Sequence, residues 1–258
     1  TNVDHSRIFA SVMDKSGARI FLAGQPPGTQ LGTSIAMLLI YDVAMGVYMQ
    51  VDTSTATRTS PEAMCLDQTE ENLYINYMVS PAKSQAQVAV YNIANNTLAT
   101  IGTGGPTKIR GMAVLLRDNV YYIAMAGVGS VLYDAATRSF INLARATTGL
   151  PAIDFRAMYV DYYNNLYLGS FDGARLYCLP SNSMAWISPD GGVGDESGQN
   201  LADVSGVLAI TGSGSSVNDA ASANTLWIGG TFETSNNGVP MSGFAVLVNA
   251  NLVSQQAA

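Results

Sequence analysis

Three acidic residues are the strongest candidates for catalysis in this sequence: Glu62, Asp172 and Glu233. A glycosidase needs only two carboxyl groups, one that donates a proton and one that acts as base or nucleophile. A Ser-His-Asp or Cys-His arrangement is harder to build, because the single histidine, His5, lies next to the amino terminus. A glycosidase is therefore the one class of enzyme that the residue types still allow. Our preferred interpretation is a protein without catalytic residues.

Residues that could bind a metal ion or a phosphate group are also sparse. Asp190, Asp195 and Glu196 fall in one short segment, but without the alternating ligands of an EF-hand loop, and we interpret the segment as an acidic loop. The glycine-rich run Gly102–Gly105 precedes no predicted helix, so it lacks the setting of a phosphate-binding loop. The sequence predicts no metal site and no cofactor.

The elements that position these side chains come from a repeated unit. The segment Arg110–Val114, followed by Asn119-Val120-Tyr121, aligns without a gap with Arg156–Val160, followed by Asn165-Leu166-Tyr167. The less similar copies are Ala63–Asp67 with Asn72-Leu73-Tyr74, Ala10–Asp14 with Arg19-Ile20-Phe21, and Gly206–Ala209 with Thr225-Leu226-Trp227. Each copy continues with a third apolar strand, a short polar turn and a fourth strand, such as Met184–Ile187.

The repeat predicts the fold class. β-Branched and aromatic residues fill the apolar segments, and no segment has a sustained helical period. Four short strands in a unit of about 45–60 residues are typical of a β-propeller blade. The sequence therefore predicts one all-β domain, residues 1–258, with five four-stranded blades that form a whole propeller or part of a larger one. The blades are predicted at about 5–54, 60–103, 108–145, 154–189 and 204–254.

The last copy carries a resemblance to known repeats. It contains Leu226–Phe232, then Gly238-Val239-Pro240, then Gly243–Leu247. This run resembles the repeats of delta-60-type propellers and of fungal cell-polarity-marker (cortical protein) propellers. The turn Tyr133–Thr137 resembles that of kelch-like repeats, although the kelch Gly-Gly doublet is missing from the other four units. The resemblance implies a propeller on an extracellular or cell-surface protein, and it implies no catalytic residues.

A propeller would bring several candidate residues to one place. First strands line the central channel, and the loops that enter them lie on the face that usually binds ligands. The residues at these entrances are Phe9, Glu62, Arg110, Arg156 and Ser205. Glu62, Arg110, Arg156 and Asp172 would then bind an anionic or carboxylate-bearing ligand at the channel mouth, because guanidinium groups match carboxylates. The simpler interpretation is an ion pair between Glu62 and Arg110 that joins two blades.

The other acidic and thiol groups have structural interpretations. Asp14, Asp67 and Asp161 recur at the turn after the first strand, and aspartate is a standard turn residue. Asp42 and Asp134 recur in the same way after the third strand. Cys65 and Cys178 fall in blades that are not neighbours, whereas the Cα atoms of a disulfide lie within about 7 Å of each other. Both are predicted to be free, buried thiols.

Composition limits the class of partner. The chain has 258 residues, a formal net charge of −7 and 12% charged residues, about half the usual 25%. Nucleic acids and anionic membranes both attract clustered Lys and Arg, so neither is an expected partner. No apolar run reaches the roughly 18 residues of a membrane span. Because interfaces are depleted in Lys and Glu, the neutral polar surface indicates a subunit of a homo- or hetero-assembly.

The sequence thus predicts a non-catalytic β-propeller, extracellular or on the cell surface, that binds other proteins or glycans or forms a structural part of an assembly. Asn95-Asn96-Thr97 makes Asn95 a candidate glycosylation site. A lectin with sugar sites between the blades is the alternative. A five-bladed glycoside hydrolase is a further one.

Overall fold

The structure is a computed structural model that describes residues 7–25, 37–51, 60–80, 83–101, 109–127, 129–143, 154–161, 164–170, 176–179, 206–213, 225–231 and 244–247.

The described residues form antiparallel sheets, each a meander of strands that follow one another in the chain. Sheet 1 contains β1 (Arg7–Met13), β2 (Arg19–Gln25), β3 (Met37–Asp42) and β4 (Val47–Val51). Sheet 2 contains β5 (Ser60–Leu66), β6 (Asn72–Ser80), β7 (Lys83–Asn92) and β8 (Thr97–Thr100). Sheet 3 contains β9 (Ile109–Arg117), β10 (Val120–Gly127), β11 (Val131–Asp134) and β12 (Ser139–Asn142). Sheet 4 contains β13 (Phe155–Val160), β14 (Leu166–Ser170) and β15 (Leu176–Leu179), and sheet 5 contains β16 (Val207–Ser213), β17 (Thr225–Gly230) and β18 (Phe244–Leu247).

The chain is all-β with a β-propeller-like arrangement, which confirms the predicted fold class at that level. Five blades of four strands each are not supported, because within the described residues three sheets have four strands and two have three. The fourth strand predicted at Met184–Ile187 lies outside the described residues. The outer strands β8 and β12 have four residues each.

The chain divides into two compact units, unit 1 (Thr1–Val114) and unit 2 (Leu115–Ala258). In unit 1 the apolar faces of sheets 1 and 2 pack together in one core. Every second side chain along a strand points to the same face of its sheet, so each strand contributes alternate residues to this core. The fully or almost fully buried members include Phe21, Leu38, Leu73, Ile75 and Tyr91. Each such aliphatic or aromatic side chain contributes about 1.5–3 kcal/mol by its burial.

Unit 2 has a core of its own between sheets 3 and 4. Its buried members are Leu115, Ala124, Ala126, Leu132, Leu143, Phe155, Leu166, Leu168 and Leu179. The rings of Phe155 and Tyr177 meet edge to face, with centroids 5.6 Å apart. The prediction that residues 1–258 form one domain stays a prediction.

The hairpin between β9 and β10 corrects the sequence alignment. In sheet 1, Ile20 lies opposite Tyr41, and in sheet 3 the residue opposite the matching Tyr133 is Ile123. The repeat as read from the sequence placed Val120 at the position of Ile20, whereas the pairing places Ile123 there, three positions further along (120 to 123). Sheet 3 has no loop at this point but a longer hairpin, whose turn residues Asp118 and Asn119 have φ angles of 48° and 61°. A two-residue type I′ hairpin turn requires two such positive φ angles.

In sheets 1, 2 and 4 an aspartate organises the turn between the first and second strands. Asp14 Oδ1 accepts a hydrogen bond from the main-chain N–H of Ala18 at 2.9 Å, and Asp67 Oδ1 accepts one from Glu71 at 3.0 Å. Asp161 Oδ1 accepts the corresponding bond from Asn165 at 2.8 Å. The prediction that these aspartates are turn residues is confirmed.

The same three turns share a left-handed residue three positions after the aspartate. These residues are Gly17, Glu70 and Asn164, with φ angles of 71°, 59° and 61°. Only glycine adopts this conformation without strain, and the carboxylate-bonded turn holds the other two in it. The backbone geometry of the repeat is therefore retained even where its residue types differ.

Candidate functional site

A β-bulge interrupts the start of the first strand in four of the sheets. The pairing register shifts between Ile8 and Ala10, Pro61 and Ala63, Phe155 and Ala157, and Val207 and Ala209. The extra residues are Phe9, Glu62, Arg156 and Leu208. A bulge leaves one residue unpaired and turns its side chain in a new direction, and bulges are common beside active sites.

Several residues that the sequence placed at the entrances of the first strands are bulge residues in the structure. Glu62 and Arg156 are bulged, and the sequence places Arg110 at the same point of β9, between Ile109 and Gly111. The fifth member was expected at Ser205, which lies outside the described residues, and the bulge of sheet 5 is at Leu208 instead. The Gly/Ser-rich segment beside β16 offered no spacing from which this shift could be read.

The bulge of sheet 1 brings the two main chains of that sheet close together. A Cβ atom on Gly24 would overlap the carbonyl oxygen of Arg7, so only glycine fits opposite the bulge of sheet 1. Gly229 lies beside the bulge of sheet 5, where a Cβ atom would lie 3.8 Å from the Cβ of Ala209. The close approach in sheet 1 thus fixes the backbone that presents Phe9.

Glu62 and Arg110 form an ion pair between sheet 2 and the first strand of sheet 3. Arg110 Nη1 donates to Glu62 Oε1 at 3.3 Å, and the side chains are 30% and 16% exposed respectively. The ion pair that the sequence suggested is confirmed. Because Glu62 offsets part of the charge on Arg110, the guanidinium has less affinity for an anionic ligand than a free arginine would have.

Asn76 adds a second cross-link at the same place. Its Nδ2 donates to the main-chain carbonyl of Ile109 at 2.9 Å, and the residue is 1% exposed. Ile109 directly precedes Arg110, so the start of β9 is tied to sheet 2 by two polar contacts within unit 1. Sequence reasoning missed Asn76, and the available signal was an amide in the apolar run Leu73–Tyr77.

Arg156 forms a separate ion pair. Its Nε donates to Asp154 Oδ2 at 3.4 Å, and the side chains are 31% and 21% exposed. Asp154 is only two residues away in sequence, and sequence reasoning did not identify it. Asp172 lies outside the described residues, as does Glu233. The structure therefore brings Glu62 and Arg110 together, and the convergence of Arg156 and Asp172 with them stays a prediction.

The two cysteines are free and buried, as predicted. Burial raises the pKa of Cys178 to about 12, with a further increase from the Asp161 carboxylate and partial opposition from Tyr167 and Arg117. Burial also raises the pKa of Cys65, with a smaller contribution from Asp67. The thiolate is the reactive form of cysteine, so neither residue has the environment of a nucleophile.

A polar cluster surrounds Cys178 in unit 2. Arg117 Nη2 donates to the main-chain carbonyl of Leu179 at 3.1 Å, and Tyr167 donates from its hydroxyl to Asp161 Oδ2, also at 3.1 Å. Burial lowers the pKa of Arg117, whereas Asp118 and Cys178 act in the opposite direction. These contacts link the turn at Asp161 to β14 and the end of β9 to β15, and we assign the cluster a structural role.

Among the described residues, no three His, Cys, Asp or Glu side chains gather as metal ligands. His5 and the acidic segment 190–196 lie outside the described part of the chain. In that part, no helix has the length and apolar character needed to cross a membrane.

Asn95 lies on an exposed turn between β7 and β8. Its main-chain N–H donates to Asn92 Oδ1 at 2.9 Å, and the next residue, Asn96, has a φ angle of 50°. The side chain of Asn95 is exposed, as a glycosylation acceptor must be. Glycosylation of Asn95 stays a prediction.

No known protein family and no curated protein matches the chain. The likeness to delta-60-type, cell-polarity-marker or kelch-like repeats therefore has no support beyond the sequence resemblance. Solved structures do match. One is a structural genomics protein of unknown function from Bacteroides thetaiotaomicron, with 16% identity and a TM-score of 0.54 over 92% of this chain. Another is the extracellular domain of a protein assigned to a one-component system of B. thetaiotaomicron, with 13% identity and a TM-score of 0.51 over 93% of this chain.

At these identities the likeness concerns the fold alone. The chain spans 58% of the length of the first structure and 32% of the second. In all, 780 solved chains match, so the architecture is too common to identify an activity.

Proposed function

We propose that the chain is a non-catalytic β-propeller module that acts outside the cell or on its surface and binds a glycan at the bulge side chains of unit 1. The observation that carries the proposal is that Phe9 and Glu62 are the bulged residues of two successive sheets and that Glu62 pairs with Arg110, which the sequence places at the matching point of the next sheet. In this proposal the five sheets are blades of one propeller, or of part of a larger one.

The chemistry of these three side chains suits a sugar. Phe9 is 41% exposed and offers an aromatic face to the C–H groups of a pyranose ring. The guanidinium of Arg110 donates to Glu62 through Nη1 and has further N–H donors, while the Glu62 carboxylate has several acceptor sites. Sugar hydroxyl groups both donate and accept hydrogen bonds, so they match this pair of groups.

A neutral ligand fits the pair better than the anionic ligand first considered for Arg110. The charge of Arg110 already faces Glu62 at 3.3 Å. An added carboxylate would compete with Glu62 and be repelled by it. The sequence segments between the strands are rich in Ser, Asn and Gly and poor in charge, which supports the same ligand class.

Two other functions have less support. A lectin with equivalent sites needs a common side chain in each blade, but the bulge positions hold Phe9, Glu62, Arg156 and Leu208. A glycoside hydrolase needs a second carboxyl group opposite Glu62, and the two that the sequence offered, Asp172 and Glu233, lie outside the described residues.

Two further observations support an extracellular place in an assembly. One solved structure of similar fold is described as an extracellular domain. The surface is poor in Lys and Glu, with 12% charged residues in the whole chain, and interfaces share this depletion.

A glycan array probed with the labelled full chain tests the proposed function. We expect binding to neutral glycans, confirmed by titration calorimetry, and at least about a tenfold loss in Arg110→Gln and in Phe9→Ala, since each removes one contact worth about 1.4 kcal/mol. Arg138→Gln, which changes an arginine on the exposed turn between β11 and β12, is the matched control and should bind normally. An array with no bound glycan would contradict the proposal. Hydrolysis of aryl glycosides that is abolished by Glu62→Gln would replace it with the glycosidase.

A further inference from the structure

The outer strand of sheet 1 carries an unusual set of exposed apolar side chains. In β4, Val47, Tyr48 and Met49 are 50%, 46% and 54% exposed, and in the turn before it Val43 and Met45 are 45% and 69% exposed. Large exposed apolar groups that lie together mark an interaction site, whereas single ones need no explanation. Val47 and Met49 lie on the face of β4 that also carries the buried Val51, and Tyr48 lies on the other face, so apolar side chains flank the strand on both sides. We treat the segment Val43–Val51 as one edge, the β4 edge.

Within the described residues, the β4 edge also has backbone groups that no neighbouring strand pairs with. Strand β4 is the last strand of its sheet and pairs only with β3 within the described residues. Half of the N–H and C=O groups of such a strand point away from the sheet and can pair with a further strand. Native edge strands are normally protected by charged residues, Pro or bulges, but residues 43–51 include no charge and no Pro.

The outer strands of the other sheets can be compared with β4. Strands β8 and β12 hold the same outer position in sheets 2 and 3. Strand β8 has the sequence Thr-Leu-Ala-Thr, and none of its residues is a large exposed apolar one, whereas β12 has only Ile141, at 36% exposure. The fold thus does not require an apolar outer strand, and the difference belongs to β4 itself.

We infer that the β4 edge is a homodimer contact, in which β4 pairs in the antiparallel direction with β4 of a second copy of the chain. A twofold axis through Met49 would place Met49 opposite its counterpart, Tyr48 opposite Gln50, and Val47 opposite Val51. In such an isologous contact the same patch of both copies meets around the twofold axis. A charged residue near the axis would therefore face the same charge on the second copy and be repelled by it. The β4 edge is uncharged, which makes it complementary to itself.

Strand β4 is already held in an extended conformation by contacts within its own chain. The Tyr48 ring lies 4.7 Å from the Tyr41 ring, centroid to centroid, and Val51 is buried at 2% exposure in the core of unit 1. Because both ends of the segment are held, less conformational freedom is lost when the second copy binds. The backbone pairing gives affinity, and the apolar side chains exclude water from it.

Sedimentation equilibrium of the full chain tests the inference. We expect a mass of 27.1 kDa at low concentration that approaches twice this value as concentration rises. Met49→Lys should weaken the dimer at least about tenfold, because like charges directly opposite each other are destabilising and the twofold axis places each new lysine opposite another. Ile141→Lys, a change at an exposed apolar residue of outer strand β12, is the matched control and should dimerise like the wild type.

Cross-linking gives a second readout that does not depend on a destabilising change. Opposed residues of an antiparallel pair have Cα atoms about 4.5–5.5 Å apart, which is within the range for a disulfide. Mild oxidation should therefore convert Met49→Cys to a covalent dimer and leave Ile141→Cys monomeric, since the native Cys65 and Cys178 are buried.

Three results would overturn the dimer: a wild-type mass that stays at 27.1 kDa up to about 100 µM, equal dimerisation of the two lysine variants, or no covalent dimer of Met49→Cys. The dimer and the proposed glycan site are separable. Glycan binding by a strictly monomeric chain refutes only the dimer, and dimerisation without glycan binding refutes only the proposed function.

Discussion

The side-chain amide of Asn76 donates a hydrogen bond to the main-chain carbonyl of Ile109 across 2.9 Å, at a point where Asn76 is 1% exposed. The ion pair of Glu62 with Arg110 lies one residue further along β9. An ion pair that water still reaches in part contributes about 1 kcal/mol, whereas a buried carbonyl that loses its donor costs about 1–3 kcal/mol. The amide of Asn76 is therefore the stronger of the two links between β9 and sheet 2.

Asn76→Asp should lower the free energy of unfolding by about 3 kcal/mol or more, because it replaces the donor to Ile109 with a buried carboxylate that faces a carbonyl oxygen. Urea denaturation measures the change. The matched control, Asn95→Asp on the exposed turn, should stay within about 0.5 kcal/mol of the wild type. Equal unfolding free energies of the two variants would show that the hydrogen bond from Asn76 to Ile109 does not stabilise the fold.

Gly24→Ala should be strongly destabilising, by about 2 kcal/mol or more, because its Cβ atom would overlap the Arg7 carbonyl oxygen and force the bulge at Phe9 to shift. Gly229→Ala is the comparison, since its Cβ atom would meet only the Ala209 side chain at 3.8 Å, and it should cost less than about 1 kcal/mol. Thermal unfolding of both variants measures the difference. If Gly24→Ala unfolded at the wild-type temperature, the close approach beside the bulge would not be a constraint.

Asp14→Ala should lose about 2 kcal/mol of stability at pH 7, because the carboxylate accepts hydrogen bonds from Ser16, Ala18 and Arg19. Burial tends to raise the pKa of Asp14, but these hydrogen bonds outweigh it and lower the pKa from 3.8. A group with a lowered folded-state pKa stabilises the fold above its unfolded-state pKa, and this contribution is lost as the pH falls through the folded-state value.

The difference in unfolding free energy between wild type and Asp14→Ala should therefore be constant at neutral pH and shrink below about pH 3.8. Urea denaturation over this pH range measures it. Asp118→Asn, a change on an exposed turn whose residues have positive φ, is the control and should match the wild type at pH 7. A difference that stayed the same at pH 3 would refute a role for the ionised carboxylate.

Cys65 and Cys178 should both fail to react with a thiol reagent in the native protein at pH 8, because both are buried and burial raises the pKa of each thiol. In urea, two thiols per chain should react at once. Rapid labelling of one thiol in the native state would mean that its strand opens locally, and the absence of free thiols after unfolding would reveal a disulfide.

Much of the fold was predictable because the repeat encodes it locally. An aspartate, a turn and an Asn-apolar-Tyr cassette place the strands on either side of Asp67 and Asp161 without any tertiary information. The register of sheet 3 was not predictable in this way. Its hairpin turn at Asp118 and Asn119 uses two left-handed residues in place of the aspartate-bonded loop, and the ungapped alignment concealed the longer strands.

The candidate site was predictable only in part. Opposite charges at matching repeat positions indicated the pair of Glu62 and Arg110. The partner of Arg156 was not found because Asp154 lies in the same segment of chain, whereas the repeat directed attention to neighbouring blades. Asn76 was not found because an amide in the apolar run Leu73–Tyr77 indicates a buried polar side chain but does not identify the carbonyl to which it donates.

The meander order of the sheets has a consequence for how the chain acquires its structure. Every sheet is assembled from strands adjacent in sequence, so each requires only the closure of short loops, a fast step in folding. The links from sheet 2 to β9 span 33 residues for Asn76 and 48 for Glu62. During synthesis, sheets 1 and 2 can form as soon as they leave the ribosome, and the apolar surface they bury together is then hidden before later segments appear.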